Sequence, residues 1–318
     1  MKKFSSIEDI EDSEALMKLA LSQKSSPYKW NQLGENKTLG LLFFNPSLRT
    51  RMSTQKAAMN LGMNVIVMNL NSEGWKLEFE DGSTMDSDSQ EHIREAAAVV
   101  SQYCDIIGVR TFPSLKNREE DYAEEILNGF VKHASVPIIS LESATRHPLQ
   151  SLADMMTIEE HKTKKKPKVV LSWAPHSKAL PQAVANSFVE WAKEGDFELV
   201  VANPIGFDLE ASITDGVQVI HNQEEAFKDA DFIYAKNWSS YEDYGKIGEN
   251  LNDWMIRPNQ MAKTNDAKFM HCLPVRRNVV VHDDVIDSEN SLVIQQAENR
   301  IYAAQAILFK LLKDENEM

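Results

Sequence analysis

Short apolar runs alternate with amphipathic stretches along this chain, and this alternation limits most strongly the folds that it can adopt. Residues 38–44 and 64–68 form apolar runs with the length of buried strands, and residues 51–61 between them have the apolar spacing of a helix. Strands that alternate with helices predict βαβ units, in which the strands pair in parallel. The chain is therefore expected to form an α/β fold whose sheets are mainly parallel and flanked by helices.

The pattern occurs as two successive series, which indicates two domains, because 318 residues are too many for one ordinary hydrophobic core. In the first series we expect strands at 38–44, 64–68, 105–109 and 137–141, with helices at 51–61, 91–103 and 121–133. A helix that begins near His147 and a lysine-rich, solvated connector at 161–168 lead to strands at 169–173, 197–202, 218–220, 231–235 and 269–271. An amphipathic helix at 298–313 comes last. We predict one domain over residues 1–150 and a second over 151–297.

The charge of the chain argues against several classes of partner. The formal net charge is -14 and the pI is about 5.1, whereas a nucleic acid or an anionic membrane surface requires a broad basic face. Cys104 and Cys272 are too few for a disulfide framework and too far apart for a metal site. With no apolar signal segment or membrane span in the sequence, these features favour a cytoplasmic setting without nucleic-acid or membrane partners.

The run Phe43-Phe44-Asn45-Pro46-Ser47-Leu48-Arg49-Thr50-Arg51 joins an apolar strand to a helix through a turn rich in hydrogen-bond donors. The first N–H groups of a helix have no partner inside the helix, and the helix dipole adds partial positive charge there. Ser47 suits the N-cap, and the Arg49 guanidinium can bind a phosphate or carboxylate with two hydrogen bonds. The run therefore predicts an oxyanion site at the start of this helix.

Polar residues also follow other predicted strands, at the position where ligands bind in open parallel sheets. They are Arg110, Glu142 and His147-Pro148-Leu149-Gln150 in the first half, and His176, Lys236 and Cys272-Leu273-Pro274-Val275-Arg276 in the second. Some of these residues also have a purely structural explanation. Ser47 or His147 could serve merely as a helix cap, and Cys272 could be a small buried hydrophobe. Their joint position after strands favours two half-sites that face each other across an interdomain cleft.

The first-half residues supply many hydrogen-bond donors but no evident side-chain base or strong nucleophile, so they suit the stabilisation of charge. A substrate that joins a phosphate to a carbonyl would use the whole set, because arginines and helix N–H groups would hold the phosphate while neutral donors polarise the carbonyl. Phosphate would then be the leaving group. No G-x-G-x-x-G or G-x-x-x-x-G-K-[ST] motif is present, which argues against a dinucleotide.

Three motifs resemble those of the aspartate/ornithine carbamoyltransferase superfamily. Its S-x-R-T-R, H-P-x-Q and H-C-L-P motifs match Ser47-Leu48-Arg49-Thr50-Arg51, His147-Pro148-Leu149-Gln150 and His271-Cys272-Leu273-Pro274, in order and at family spacing. The resemblance covers essentially the whole chain. It implies two α/β domains, a C-terminal helix (298–318) that joins the first domain, and a homotrimer with active sites shared between subunits. It also implies carbamoyl phosphate as donor, with no cofactor or metal.

More narrowly, the chain resembles the N-succinylornithine and N-acetylornithine carbamoyltransferases. Ordinary ornithine carbamoyltransferases carry a D-x-x-x-S-M-G loop whose aspartate binds the free α-ammonium of ornithine, whereas this chain has Lys236 and no S-M-G there. A cation at this position repels a free α-ammonium and favours a substrate in which that nitrogen is acylated and neutral. The resemblance therefore implies an N-acyl-L-ornithine as acceptor.

The resemblance also implies roles for individual residues. Thr50, Arg110 and His147 would stabilise the oxyanion, Arg49 would hold the phosphate, and Cys272 would line the δ-amine site. The carbamoyl-phosphate positions are Ser47, Leu48, Arg49, Thr50, Trp75, Arg110, His147, Pro148, Leu149, Gln150, Cys272, Leu273 and Arg300, and the acylornithine positions are Glu142, His176, Lys236 and Arg276. Trp75 matches a tryptophan that reaches into the neighbouring subunit's site, although it could also be a locally packed loop residue.

Gln90 occupies the position that is glutamate in acetyl-specific and proline in succinyl-specific relatives, and it is neither. Without a negative charge, Gln90 should not repel a succinyl carboxylate, which His176 and Arg276 could bind. We therefore expect N-succinyl-L-ornithine to be carbamoylated to N-succinyl-L-citrulline in arginine biosynthesis. N-acetyl-L-ornithine is the alternative, because glutamine keeps the size of glutamate. A different amine acceptor and a non-catalytic metabolite-binding paralogue also remain open.

Overall fold

The computed structural model describes residues 1–316, and its chain forms two compact units. Unit 1 comprises residues 1–113, 119–149 and the described chain from Arg300 onward, and unit 2 comprises residues 114–118 and 150–299. The domain boundaries given above stay a prediction. The last two residues of the predicted C-terminal segment 298–318 lie outside the described residues.

Unit 1 is built on a five-stranded parallel sheet with the strand order β1-β7-β6-β2-β3. Its strands are β1 (Lys3–Phe4), β2 (Thr38–Phe43), β3 (Asn64–Asn69), β6 (Ile106–Arg110) and β7 (Ile138–Glu142), and a separate parallel pair is formed by β4 (Leu77–Glu78) and β5 (Glu91–His92). The helices are α1 (Ser13–Ser25), α2 (Leu48–Asn60), α3 (Leu70–Glu73), α4 (Ile93–Tyr103), α5 (Arg118–Tyr122), α6 (Glu125–His133), the start of α7 (Pro148–His161) and most of α13 (Val293–Asn316). A short 3₁₀ helix covers Ile7–Asp9.

Unit 2 repeats this architecture with a five-stranded parallel sheet of order β10-β9-β8-β11-β12. Its strands are β8 (Lys168–Trp173), β9 (Glu198–Ala202), β10 (Gln218–Ile220), β11 (Phe232–Lys236) and β12 (Lys268–Met270). Besides the remainder of α7 and the start of α13, its helices are α8 (Ala183–Lys193), α9 (Ala211–Thr214), α10 (Gln223–Phe227), α11 (Pro258–Met261) and α12 (Asp283–Ile286), with a 3₁₀ helix at Asn252–Trp254. The predicted α/β class with two mainly parallel sheets is confirmed.

The central strands are buried on both faces, which is why their sequences read as continuous apolar runs. In unit 1, every residue of β6 and β7 is buried. In unit 2, Val170, Ile233 and Phe269 of three neighbouring strands are fully buried in one core cluster. Because all strands of a sheet run in the same direction, the residues at their carboxyl ends collect along one edge of each sheet.

One predicted helix is wrong in detail. The stretch 121–133 contains α5 and α6 instead of a single helix, because Glu124 between them adopts a left-handed backbone conformation with φ of 48°. The lysine-rich connector lies between α7 and β8, where Lys164 Nζ is 2.8 Å from Asp231 Oδ2. None of the helices within residues 1–316 is both long and apolar enough to cross a membrane.

Candidate active site

Arg110 and Glu142 form a buried ion pair at the carboxyl ends of β6 and β7. A register shift between Val109 and Arg110 places Arg110 opposite Glu142, and Arg110 NH2 lies 2.5 Å from Glu142 Oε2. Arg110 NH1 donates to the carbonyl oxygens of Asn45 at 2.8 Å and Pro46 at 3.2 Å, and also to the side-chain oxygen of Asn45. The guanidinium is therefore held in one orientation beside the start of α2, which is the preorganisation that an oxyanion site requires.

The start of α2 has the properties of an anion site. Ser47 is the N-cap, and its hydroxyl oxygen accepts from the Thr50 N–H at 3.3 Å. The first turn contains no acidic residue, so the partial positive charge of the helix end is not neutralised there. Arg300 NH2, in the buried part of α13, donates to Thr50 Oγ1 at 2.6 Å. Arg49 is partly exposed on the same turn, and Leu48 is largely exposed.

His147 lies in the turn between β7 and α7, with Nε2 at 3.9 Å from Glu142 Oε2. Pro148 is the first residue of α7, where a missing N–H costs nothing, and Leu149 is buried behind it. Glu124 holds this turn from outside: its Oε1 accepts from Ser143 Oγ at 2.5 Å and from the N–H and hydroxyl of Thr145 at 2.8 and 2.6 Å.

In unit 2, Gln150 is fixed by the buried carboxylate of Asp154, which accepts from Gln150 Nε2 at 2.7 Å. The same Asp154 oxygen accepts from Gln296 Nε2 at 2.7 Å. Gln296 Oε1 in turn accepts from the His271 N–H at 2.9 Å. Hydrogen bonds through Asp154 and Gln296 thus connect Gln150 to the turn that follows β12.

That turn carries Cys272 and Leu273. Leu273 has a left-handed backbone with φ of 53°, its N–H donates to His271 Nδ1 at 2.9 Å, and the Leu273-Pro274 peptide bond is cis. Cys272 is half-buried and is not part of a disulfide. Burial raises the pKa of Tyr234, in the middle of the neighbouring strand β11, well above its ordinary value, and the nearby Asp154 and Cys272 raise it further.

His176, Lys236 and Arg276 form a cationic set at the carboxyl edge of the second sheet. Arg276 Nε donates to His176 Nε2 at 3.2 Å, which assigns the proton of a neutral ring to Nδ1 and leaves the charge of the set on Lys236 and Arg276. Nδ1 faces the Lys178 carbonyl oxygen at 2.9 Å and the Lys178 N–H at 3.1 Å. Burial lowers the pKa of His176, and the positive charges of Lys236 and Arg276 lower it further. The positive charges of Lys236 and Arg276, and not the burial of His176, are what would favour a carboxylate ligand here.

The segment 74–90, which includes β4 and ends at β5, carries Trp75 and Gln90, and both side chains are exposed. It is called the loop of Trp75 and Gln90 below. The Trp75 indole N–H donates to Glu91 Oε2 at 2.8 Å, and the Gln90 N–H donates to the Lys76 carbonyl at 3.0 Å. Lys76 also pairs with Asp88 at 2.8 Å. The loop is therefore tied to itself within one chain by hydrogen bonds and an ion pair.

The structure brings the predicted residues together in two sets. The first contains Ser47, Leu48, Arg49, Thr50, Arg110, Glu142, His147, Pro148, Leu149 and Arg300, and the second contains Gln150, His176, Lys236, Cys272, Leu273 and Arg276. Trp75 and Gln90 lie on their own loop. That the two sets act in one cleft stays a prediction. Among the described residues, no group of three or more His, Cys, Asp or Glu is placed to hold a metal ion.

Sequence reasoning missed four residues that fix the site: Asn45, Glu124, Asp154 and Gln296. A usable signal existed for Asp154, because it is a carboxylate four residues after Gln150 and therefore on the same face of the helix. Glu124 and Gln296 act on segments far away in sequence, and no local pattern marks them.

Comparisons with known proteins match most of the chain to one family. Residues 2–160 match the family model described as aspartate/ornithine carbamoyltransferase, carbamoyl-P binding domain. Residues 181–311 match the model described as aspartate/ornithine carbamoyltransferase, Asp/Orn binding domain.

Two similar curated proteins are named for different acyl groups on the ornithine substrate. The N-succinylornithine carbamoyltransferase of Bacteroides fragilis is 52% identical over 316 residues, covering 99% of each chain. The N-acetylornithine carbamoyltransferase of Xanthomonas axonopodis pv. citri is 35% identical over 316 residues, covering 92% of each.

Solved structures show the same fold. An acetylornithine transcarbamylase complexed with acetylcitrulline superposes with a TM-score of 0.92 at 34% identity, covering 98% of this chain and 99% of that chain. An N-acetyl-L-ornithine transcarbamylase in which one glutamate is replaced by alanine, complexed with carbamyl phosphate and N-succinyl-L-norvaline, has a TM-score of 0.92 at 33% identity and covers 98% and 100%.

Proposed function

Because the chain belongs to the aspartate/ornithine carbamoyltransferase family, we propose that it transfers the carbamoyl group of carbamoyl phosphate to the δ-amine of N-succinyl-L-ornithine. The products are N-succinyl-L-citrulline and phosphate, in arginine biosynthesis. The observation that carries the choice of acceptor is the cationic set of His176, Lys236 and Arg276, which suits a substrate with more than one carboxylate. The greater identity to the succinylornithine relative supports it.

The donor occupies the first set. Arg49 and the N–H groups at the start of α2 would hold the phosphate, while Thr50, Arg110 and His147 would donate to the carbonyl oxygen. The neutral δ-amine attacks the carbonyl carbon, a C–N bond forms, and negative charge develops on the oxygen that these donors stabilise. The bond between the carbonyl carbon and the phosphate oxygen then breaks. The departing phosphate takes the amine proton, so that no side-chain base is needed.

In this proposal, Arg300 of the first set and three residues of the second set complete the substrate contacts. Gln150, Leu273 and Arg300 contact carbamoyl phosphate, and Cys272 lines the δ-amine site. The Arg110–Glu142 pair keeps the guanidinium aligned while Glu142 orients the donor or the amine. No atom of this reaction requires a metal or an organic cofactor.

The choice between succinyl and acetyl depends on the loop of Trp75 and Gln90. Gln90 is neutral, and the neighbouring Glu91 carboxylate is already bonded to the Trp75 indole, so the loop presents little negative charge to a succinyl group. The acetyl enzyme whose glutamate is replaced by alanine is complexed with a succinyl compound, which is the behaviour expected when that charge is absent. N-acetyl-L-ornithine is the second candidate, because Gln90 keeps the size of glutamate.

A colorimetric assay for ureido products tests this proposal, with carbamoyl phosphate and four amines: N-succinylornithine, N-acetylornithine, ornithine and aspartate. We expect the highest kcat/KM with N-succinylornithine and no product with aspartate. A higher kcat/KM with N-acetylornithine would reassign the acceptor. Absence of product with all four amines would favour the non-catalytic metabolite-binding paralogue.

We also propose a cytoplasmic homotrimer in which Trp75 completes the site of a neighbouring subunit. A mixture of two variants tests this proposal directly. In a shared site Arg49 comes from one subunit and Trp75 from its neighbour, so Arg49→Ala and Trp75→Ala should each be inactive alone. After co-refolding or subunit exchange, a mixture of the two variants should recover part of the wild-type activity, since some sites receive both intact residues. A mixture as inactive as its components would show that each site is built by one chain.

A further inference from the structure

We infer that Asp154, on the buried face of α7, is a positioning residue that sets the orientation of Gln150 and of the turn carrying Cys272. The inference rests on the proposed function and adds to it a residue that touches no substrate. Asp154 is 0% exposed, and burying a carboxylate costs several kcal/mol unless hydrogen bonds compensate. A charge kept in this place needs a reason beyond stability, because a well-packed apolar residue is often as stable there.

The first consequence concerns the Gln150 amide. Its Nε2 donates to Asp154 Oδ1 at 2.7 Å, and a carboxylate can only accept, so the amide cannot be flipped. Oε1, on the other side of the amide carbon, is therefore directed away from Asp154. Gln150 presents an acceptor to its ligand, which is the group that recognises the NH₂ of a carbamoyl group.

The second consequence concerns the turn after β12. Gln296 Nε2 donates to the same Asp154 oxygen at 2.7 Å, and Gln296 Oε1 accepts from the His271 N–H at 2.9 Å. His271 Nδ1 then accepts from the Leu273 N–H at 2.9 Å. One carboxylate thus orients the amide of Gln150 and, through Gln296, the backbone on both sides of Cys272.

The Tyr234 side chain lies next to this network. Its hydroxyl is fully buried in β11, near both the Asp154 carboxylate and the Cys272 thiol. The members of the hydrogen-bond network, Gln150, Asp154, His271 and Gln296, are buried and belong to unit 2. In such a network each donor needs its acceptor, so a change at Asp154 disturbs several members at once.

Asp154→Asn is the decisive variant, because it keeps the shape and removes the negative charge from the one oxygen that accepts from both Gln150 and Gln296. We expect kcat/KM for carbamoyl phosphate to fall about 10- to 100-fold, because two charge-assisted hydrogen bonds become weaker neutral ones. In a Gln150→Ala background the same change should cost at least about threefold less, because residues that act through one another are not additive. Fully additive effects would refute the positioning role.

Thr157→Val is the matched control for a purely structural loss. Thr157 is buried one turn further along α7, where its hydroxyl donates to the Ala153 carbonyl at 2.7 Å and accepts from Asn299 at 2.9 Å. We expect this variant to lose thermal stability while keeping kcat/KM within about twofold of wild type. A loss of activity as large as that of Asp154→Asn would attribute both to packing and overturn the inference.

If Asp154→Asn does not fold, Gln296→Met tests the arm that runs to His271, and kcat/KM should fall about 3- to 10-fold. An unchanged value for this variant would count against the inference. Calorimetric titration with carbamoyl phosphate alone distinguishes a failure of the proposed function from a failure of the positioning role of Asp154. A wild-type protein that neither binds carbamoyl phosphate nor forms product removes the proposed function and this inference together. An active wild type with Asp154→Asn within twofold of it removes only the inference.

Discussion

Replacing Glu142 by glutamine removes one negative charge from the first set of residues while keeping the size of the side chain. Glu142 Oε2 lies 2.5 Å from Arg110 NH2, and both side chains are 9% exposed. Two opposite charges about 4 Å apart attract by roughly 4 kcal/mol at an effective dielectric constant of about 20. Desolvation offsets much of this attraction, but removing one partner of a buried pair costs about 3–5 kcal/mol when the other charge stays buried.

The expected loss is smaller here because Arg110 has other partners. The carbonyl oxygens of Asn45 and Pro46 accept from NH1 at 2.8 and 3.2 Å, and a glutamine oxygen at position 142 can still accept from NH2. We therefore expect the free energy of unfolding to fall by about 2–3 kcal/mol, close to the value of one hydrogen bond to a charged group. Chemical denaturation of the ligand-free protein measures this change.

The kinetic effects of Glu142→Gln should differ for the two substrates. Arg110 would no longer be neutralised, so KM for carbamoyl phosphate should stay the same or fall, and this ligand should raise the melting temperature more in the variant than in wild type. Because Glu142 orients the amine in the proposed function, kcat/KM for N-succinylornithine should fall about tenfold or more. The ureido-product assay and differential scanning fluorimetry measure these effects.

Glu289→Gln is the matched control, since it makes the same change of charge at an exposed position. It should leave both stability and kinetics unchanged, as most surface substitutions do. The reasoning would be refuted if Glu142→Gln kept wild-type stability within about 0.5 kcal/mol. It would also be refuted if the variant raised KM for carbamoyl phosphate and left turnover of the acceptor intact.

Three further substitutions test the rest of the site. Arg49→Ala should lower kcat/KM by about ten- to a hundredfold or more, measured by steady-state kinetics. Lys236→Asp should abolish use of acylornithines, and Lys236→Met should raise the His176 pKa toward 6.5 in an NMR titration. Because the lowered His176 pKa means that the unfolded state binds more protons near pH 6, wild-type stability should fall as the pH drops below about 6.5, and less so in Lys236→Met. Gln90→Glu should lower the ratio of kcat/KM for succinylornithine over acetylornithine by about tenfold or more, because the new carboxylate repels the succinyl carboxylate.

The strands could be predicted within one or two residues because parallel strands buried on both faces are uninterrupted apolar runs. The expectations do not include α8, most of whose residues are buried. The break at Glu124 has no local signal. It depends on hydrogen bonds to Ser143 and Thr145, about twenty residues further along the chain.

The candidate site divides in the same way. The residues proposed to contact a ligand, such as Arg110 and Lys236, are the last residues of strands, and their sequence position predicts this place. Residues that orient them, such as Asn45 and Gln296, act through side-chain contacts across long sequence separations. Gln296 is 142 positions from Asp154. Only the folded chain shows such a pair, because no periodicity connects the two.

The distribution of charge explains how a chain with a net charge of -14 can hold anionic substrates. The carboxylates nearest the two sets are already engaged, Glu142 by Arg110 and Asp154 by two amide donors. The negative charge of the chain therefore lies mostly on exposed side chains, where water and salt screen it over about 10 Å. Inside the site the donors are buried and screened less, so the local positive field decides binding there. The same separation explains why buried carboxylates are useful at this site: each fixes a donor or an amide without presenting free negative charge to the ligand.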